Sequence, residues 1–298
     1  MVAMDAFITQ QIDAYYLRII IIIGINIILA LGLNLTTGVT GQLSMGHAGF
    51  MSLGAYTAAI LSLHTTLPFV VVLIAGAMAA ALFGIIIGIP SLRLEGDYLA
   101  IVTIGFAEIV RVFFLNFELG GKAVGLAGIP QQTTFSIVFL IMMVVIFLNI
   151  TLLNSHTGKA LYSIRENEIA AQACGVNTTQ LKILCFAMGA FLGGLGGGLY
   201  ASYMYYISPG EFGFMKSIEI LNMVVLGGMG SIPGTILGVI ILTIAPEFLR
   251  VVADYRLLFY GAMLVILMIF RPNGLMGDIR WYDIKKRLPK KEVKKCQS

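Results

Sequence analysis

Between Arg18 and Arg93 the chain runs for 74 residues without a single Asp, Glu, Lys or Arg. A soluble domain carries about one charged residue in four, so water cannot be the solvent for this stretch. One membrane span needs only about 20 apolar residues, and the stretch is long enough for several. Over all 298 residues, 58% are hydrophobic and 11% charged, with a mean hydropathy of +0.93. That balance also excludes disorder, which requires low hydrophobicity and high charge. In hydrocarbon only helices and closed barrels satisfy every backbone group, and apolar runs this long call for helices. The fold class is therefore all-α: a polytopic integral membrane helical bundle.

Apolar windows fall at 19–37, 48–64, 68–90, 134–153 and 183–207, with a further one at 98–117 interrupted by Glu108 and Arg111. After them come 217–249, broken by Gly and Pro, and a short window at 257–270. This gives about eight transmembrane helices, seven to ten depending on how the Gly-rich segments are counted. Residues 1–16 have no basic stretch, so the first window reads as a retained span behind an extracytoplasmic tail and not as a cleaved signal peptide. Residues 17–270 form a single transmembrane domain, and 271–298 a basic cytoplasmic tail with nine Lys/Arg against three Asp/Glu. Loop charge then orients the chain by the positive-inside rule. With the N-terminus outside, Arg93, the loop 154–182 and the C-terminal tail fall inside. Thirteen basic residues are then inside, five outside and one, Arg111, within a span. Trp281 and Tyr282 before Lys285, Lys286 and Arg287 read as an interfacial anchor on anionic lipid.

Parity constrains the segment 217–249. Lys182 and Arg271 both lie inside, and the windows 183–207 and 257–270 supply two crossings, so 217–249 begins and ends on the outer side. Its centre, Gly227-Gly228-Met229-Gly230-Ser231-Ile232-Pro233-Gly234, cannot continue a helix. A re-entrant hairpin or two short crossings follow. A second break lies at 38–49, where Gln42, Ser44 and His47 stand among glycines. Aligning Leu33-Asn34 with Leu221-Asn222 sets Gly46 opposite Gly234, which fits an internal duplication or chance in a Gly-rich background. Paired broken segments in two halves point to a transport path, with Gln42, Ser44, His47, Gly227, Gly228 and Gly230 as its candidate lining. A lone His in such a place is more often a buried hydrogen-bond partner, and lining of the path by Gln42, Ser44 and His47 is the alternative.

The loop 154–182 contains good helix formers over 159–173, a C-terminal stop at Gly175, and caps for the next helix at 177–179. A cytoplasmic helix with small Ala170 and Ala171 admits a close partner, with Arg165, Glu166 and Glu168 setting register.

Five runs together resemble the permease subunits of branched-chain amino-acid ABC transporters, specifically the M-type partner of a permease pair. They are Gly41-Gln42-Leu43-Ser44-Met45-Gly46-His47-Ala48-Gly49-Phe50; Tyr98 through Arg111, with Thr103, Gly105, Phe106 and Glu108; Ile164-Arg165-Glu166-Asn167-Glu168; Gly227-Gly228-Met229-Gly230-Ser231; and Arg271-Pro272-Asn273-Gly274-Leu275. The resemblance runs from about Leu31 to Leu275. The coupling motif of ABC importers has Glu-Ala-Ala and then Gly after three residues. Here Glu168-Ile169-Ala170-Ala171 leads to Gly175, so the glycine spacing fits while the first element is interrupted. The resemblance implies ATPase coupling by Arg165, Glu166, Glu168, Ala171 and Gly175. It also implies a second, H-type permease as heterodimer partner, two ATP-binding subunits on the cytoplasmic side and an extracytoplasmic substrate-binding protein. The cargo would be leucine, isoleucine or valine, or a relative such as another amino acid, an amide or urea. The location would be a prokaryotic cytoplasmic membrane.

Glu108 and Arg111 share a helix face at i, i+3. An isolated charge at the bilayer centre costs at least about 2.5–3.5 kcal/mol, so they form an intramembrane ion pair that either locks packing or meets zwitterionic cargo. Gly189, Gly193 and Gly197, four apart, let helix backbones approach. No phosphate-binding Gly-x-x-x-x-Gly-Lys run, nucleophile elbow or zinc-type His pair occurs. The chain is thus expected to have no catalytic residues, no metal and no cofactor of its own, with ATP and Mg on the partner subunits. Its basic residues lack the aromatic interleaving of a nucleic-acid surface, and the three cysteines suggest no disulfide framework. The rivals are a stand-alone channel or ion-driven carrier, and an embedded enzyme.

Overall fold

The computed structural model describes residues 13–91, 96–248, 261 and 274–275. Most of the N-terminal tail, Arg93, nearly all of the window 257–270 and of the basic tail lie outside the described residues. Helix α1 (Ala14–Leu33) continues into a π-helical turn, Asn34–Val39. Then come α2 (His47–His64), α3 (Phe69–Ser91), α4 (Asp97–Asn116), α5 (Phe135–Asn154), α6 (His156–Glu166) and α7 (Glu168–Ala173). The series continues with α8 (Thr178–Met204), α9 (Phe214–Gly227) and α10 (Ile232–Phe248). Ala14–Val39, Phe69–Pro90, Asp97–Asn116, Phe135–Asn154 and Thr178–Met204 are long and apolar enough to cross a membrane. A polytopic helical bundle is what the charge-free stretch demanded. The face carrying α6 and α7 is here the near face, and the opposite one the far face.

The bundle is organised around α8, whose glycines meet three other helices of the same chain. A Cβ on Gly189 would meet the Gly32 carbonyl and Thr36 of the α1 segment. One on Gly197 would overlap the Met51 carbonyl of α2, and one on Gly194 the Gly76 carbonyl and Ala80 of α3. Backbones can approach this closely only where no side chain intervenes. Gly54 of α2 is likewise pressed against Gly194. By contrast α5 turns Phe139, Met143 and Phe147 outward, as suits lipid or a neighbouring subunit.

On the far face a two-residue ladder joins Leu126–Ala127 (β1) to Tyr206–Ile207 (β2), antiparallel. Ser202 at the end of α8 donates to the Pro130 carbonyl at 2.8 Å and accepts from Gln132 N at 3.1 Å. Together these bonds tie the α4–α5 connection to the top of α8.

One expectation is corrected. Residues 159–173 do not form a single helix, because Asn167 is extended (φ −160°, ψ 108°) and separates α6 from α7. Its side chain accepts from Ala170 N at 3.0 Å. Asparagine competes in this way for backbone donors, favouring a new N-terminus over a continued helix. Ser155 and Asn177 cap α6 and α8 in the same manner.

Candidate functional site: a clasped pair of broken hairpins

Both glycine-rich breaks turn at the near face. The first follows the π turn, whose Cys185 contact (Sγ to the Leu35 carbonyl, 3.1 Å) satisfies one displaced backbone group. Residues 41–46 then carry no regular structure, yet Gln42, Ser44 and Gly46 are buried. Non-helical backbone at membrane depth survives only if protein satisfies it, and threonines of the chain do so. Gln42 N donates to the Thr36 carbonyl at 3.2 Å, and Thr40 Oγ1 donates to Gln42 Oε1 at 3.3 Å. Ser44 N reaches Thr37 Oγ1 and Met45 N reaches Thr103 Oγ1, at 3.5 and 3.0 Å. Thr103 lies six residues into α4, about 9 Å from its start at 1.5 Å per residue. The segment therefore climbs back into the bundle before α2 begins.

The second break is a tight reversal. Gly228 and Gly230 take φ of 113° and 89°, which L side chains rarely adopt. The backbones of Gly227 and Gly234 press together, so α9 and α10 close as a hairpin. By helical rise α9 is about 21 Å long and α10 about 26 Å. Asn26 of α1 donates to Thr243 of α10 at 3.2 Å, fixing the hairpin along α1.

The two turns are held to each other and to α6. Gly230 N donates to Asn34 Oδ1 at 2.7 Å. From α6, Arg165 Nη1 donates to the Gly38 carbonyl at 2.8 Å and to the Met229 carbonyl at 3.4 Å. Tyr162 OH donates to the Gly230 carbonyl at 3.2 Å. One guanidinium thus touches both breaks. The structure brings Arg165, Gly228 and Gly230 together, with Gly41 packed above the Arg165 chain.

The remaining coupling residues stand further out. Glu166 ends α6, exposed. Glu168 opens α7 and pairs with Lys182 of α8, Ala171 is buried, and Gly175 (φ 82°) turns the chain towards α8. His47 sits 2% exposed in a slot between Gly32 and Gly193, where a Cβ would meet its Cε1 at 3.3 and 3.2 Å. A backbone hydrogen bond to Leu29 holds the ring, while Nε2 has no partner among the described residues. It is packed inside the single chain, as are Gln42 and Ser44.

At mid-depth the two hairpins meet again. Ala48 N, in the first turn of α2, donates to Ser217 Oγ in the first turn of α9 at 3.1 Å. Beside this junction Arg111 Nε donates to Glu108 Oε2 at 2.7 Å. Lys216 Nζ pairs with Glu219 Oε2 at 3.1 Å. Loop counting set Lys216 among the outer cations, and it stands in the first turn of α9, directly after the far-face turn 209–212. On the far-face turn, burial pushes the Glu211 carboxyl up, opposed by its bond from Tyr200 OH and by Lys216. Among the described residues no group of three His, Cys, Asp or Glu could hold a metal ion.

The reading of the sequence gave no site role to Asn34, Thr103, Tyr162, Ser217, Lys216 or Glu219, though Asn34 stands in the repeat alignment and Thr103 in a run that carries the resemblance. Asn34 carried a usable signal, being a polar residue one turn before Gly38 at the end of a helix whose other polar member beyond Arg18 is Asn26.

Comparison with known proteins identifies the setting. The family model for the permease component of branched-chain amino acid transport systems matches residues 15–268. The chain is 38% identical to the high-affinity branched-chain amino acid transport system permease protein LivM of Escherichia coli, across 76% of this chain and 61% of that protein. It is 26% identical to a probable branched-chain amino acid transport permease protein LivM of Methanocaldococcus jannaschii, across 74% of each. Against the LivH permease of Escherichia coli it is 30% identical across 49% of this chain and 47% of that one. The match thus spans about three fifths of the length of the LivM protein of Escherichia coli. No solved structure matches the chain.

Proposed function

The chain belongs to the family of permease components of branched-chain amino acid transport systems, and from that premise we propose that it is the M-type permease subunit of an ATP-driven importer. Its cargo is leucine, isoleucine or valine, moved inward across a prokaryotic cytoplasmic membrane. It pairs with an H-type permease, in keeping with its likeness to proteins named LivM and LivH. Two ATP-binding subunits take α6 and α7 on the cytoplasmic face, and a binding protein delivers cargo to the far face. The N-terminus is extracytoplasmic and the C-terminus cytoplasmic. ATP and Mg reside on the ATP-binding subunits; this chain binds no cofactor, metal or nucleic acid.

The observation that carries this reading is the reach of Arg165. A helix that only received an ATPase would present its charges outward. Arg165 instead points inward and joins the Gly38 and Met229 carbonyls. Movement of α6 must therefore move both turns. A bond to a charged donor contributes about 1.5–3 kcal/mol, a value that suits the part-buried 2.8 Å bond to Gly38, while the exposed 3.4 Å bond to Met229 contributes less. Glu168, Ala171 and Gly175 shape the surface that receives the stroke, and Arg165 passes it to the path bounded by residues 40–46 and 227–231.

The test is Arg165→Ala in the complete transporter reconstituted in liposomes. ATP-dependent leucine uptake should fall at least about tenfold, the equivalent of roughly 1.4 kcal/mol. Hydrolysis should no longer rise when liganded binding protein is added. Arg165→Lys, which reaches one carbonyl but not two, should recover part of the loss. Full uptake by Arg165→Ala would sink this coupling route. Uptake without ATP-binding subunits would instead mark a stand-alone carrier.

A further inference from the structure

Four charged side chains of α4 and α9 stand near one another below the turn 209–212, and the coupling machinery uses none of them. Glu108 and Arg111 lie 11 and 14 residues into α4, about 16 and 21 Å from its near-face end at 1.5 Å per residue. Lys216 and Glu219 lie 11 and eight residues before Gly227, about 16 and 12 Å above the near-face turn. Each pair is closed at i, i+3, at 2.7 and 3.1 Å. The pairs are neighbours: a Cβ at Gly213, which opens α9, would lie 3.7 Å from Arg111 Cδ. Lys216 N bonds back to the Gly213 carbonyl at 3.0 Å. None of the four is fully enclosed, with side-chain exposures from 20% to 41%.

Packing does not account for them. Replacing a buried ion pair by apolar residues of similar volume is often neutral or stabilising, so packing alone gives little reason to keep two pairs. Charges at this depth are by default functional and face a partner or an aqueous cavity. The set of two pairs is neutral in itself, two cations and two anions, with the Glu211 carboxyl on the preceding turn also acting on Lys216. It complements a molecule carrying one charge of each sign. Val112 and Met215, next in sequence to Arg111 and Lys216, are exposed and apolar.

We propose that Glu108, Arg111, Lys216 and Glu219 form a relay site for a zwitterionic α-amino acid at mid-membrane. The carboxylate is received by Arg111 and Lys216, and the ammonium by Glu108 and Glu219. Each pair opens to admit the cargo and closes behind it, so no charge is left unpaired at any stage. This rests on the importer reading above and locates the cargo contact within it.

The experiment uses the complete transporter in liposomes with radiolabelled leucine, and reads cargo moved per ATP hydrolysed. Two double variants decide it. Lys216→Met with Glu219→Gln removes a pair and leaves no orphan charge. Glu108→Arg with Arg111→Glu keeps a pair but reverses it. Both should assemble with the other subunits on co-purification and lose at least about tenfold in leucine per ATP. A structural lock predicts the opposite, since either double variant keeps charges balanced. Wild-type transport by both would overturn the proposal while leaving the importer reading intact. Failure of the variants to co-purify with the second permease would also overturn it, assigning the charges to the subunit interface. If the unaltered transporter moves no branched-chain amino acid, the importer reading itself has failed.

Discussion

The two glycine-rich breaks are written in a similar alphabet and do different work. In the second, 227–231, two left-handed glycines reverse the chain in a few residues, and α10 starts at once. In the first, glycine is used for closeness more than for turning. Of its residues 38–46, only Gly41 takes a positive φ, and Gly46 lies where a Cβ would overlap the Thr103 carbonyl. The chain there spends six residues rising through protein before α2 forms. A polar, non-helical strand at that depth needs a dedicated supply of acceptors and donors, which is why Thr36, Thr37, Thr40 and Thr103 are buried around it. The reversal turns on its own dihedral angles, and Asn34, Tyr162 and Arg165 only take up backbone groups that it leaves open. The difference separates a segment whose sequence is dictated by its surroundings from one dictated by its own dihedral angles.

The comparison breaks first at Gly46. Gly46→Val should be the most damaging change, because the obstacle is backbone of α4 and cannot rotate away. Expected is loss of a monodisperse protein in detergent, read by size-exclusion chromatography; a well-folded variant would show that the climb is looser than drawn. Gly230→Ala should come next and differ in kind. Its φ of 89° is strained for alanine by about 1–3 kcal/mol, and the methyl would meet Arg165 Nη1 at 2.7 Å. The protein should fold, with leucine uptake falling several-fold because the clasp is displaced. Equal loss of folding in both variants would erase the distinction. The smallest effect is expected from Thr103→Val, which leaves Met45 N without its 3.0 Å acceptor. An unsatisfied buried donor costs about 1–3 kcal/mol, visible as a lower midpoint of thermal unfolding. Asn34→Ala makes the equivalent test on the other turn.

Much of this architecture could be read from residues alone, since hydropathy and parity are strong constraints. The spans of α3, α5 and α8 follow from windows without charge, that of α4 from a window broken only by Glu108 and Arg111, and a hairpin or two short crossings from the requirement that 217–249 return to its starting side. What escaped were the places where chain direction and depth part company. Lys216 follows α8 by only twelve residues, and such a cation is counted with an outer loop. Nothing local says that Lys216 already belongs to a helix that packs beside α4. Asn167 was absorbed into a run of helix formers, though its own side chain supplies a cap. The aim of Arg165 was equally hidden, because spacing along α6 tells which face a residue takes but not what stands opposite. The path candidates fared differently by location. Gly228 and Gly230 lie at the clasp, while His47, Gln42 and Ser44 line a chain segment enclosed by its own protein.

The crowding of glycine on α8 bears on how the protein is made. Among the five long helices α8 is the least apolar, yet it is one of the two most enclosed. Glycine contributes little to partitioning from an aqueous channel into lipid, so α8 emerging alone from a ribosome would be a poor candidate for release into the bilayer. Its flat surfaces fit α1, α2 and α3, all synthesised earlier. The order of helices along the chain thus becomes an order of assembly: the first three helices form a waiting groove, and the late-arriving α8 is retained by shape where greasiness alone would let it slip back.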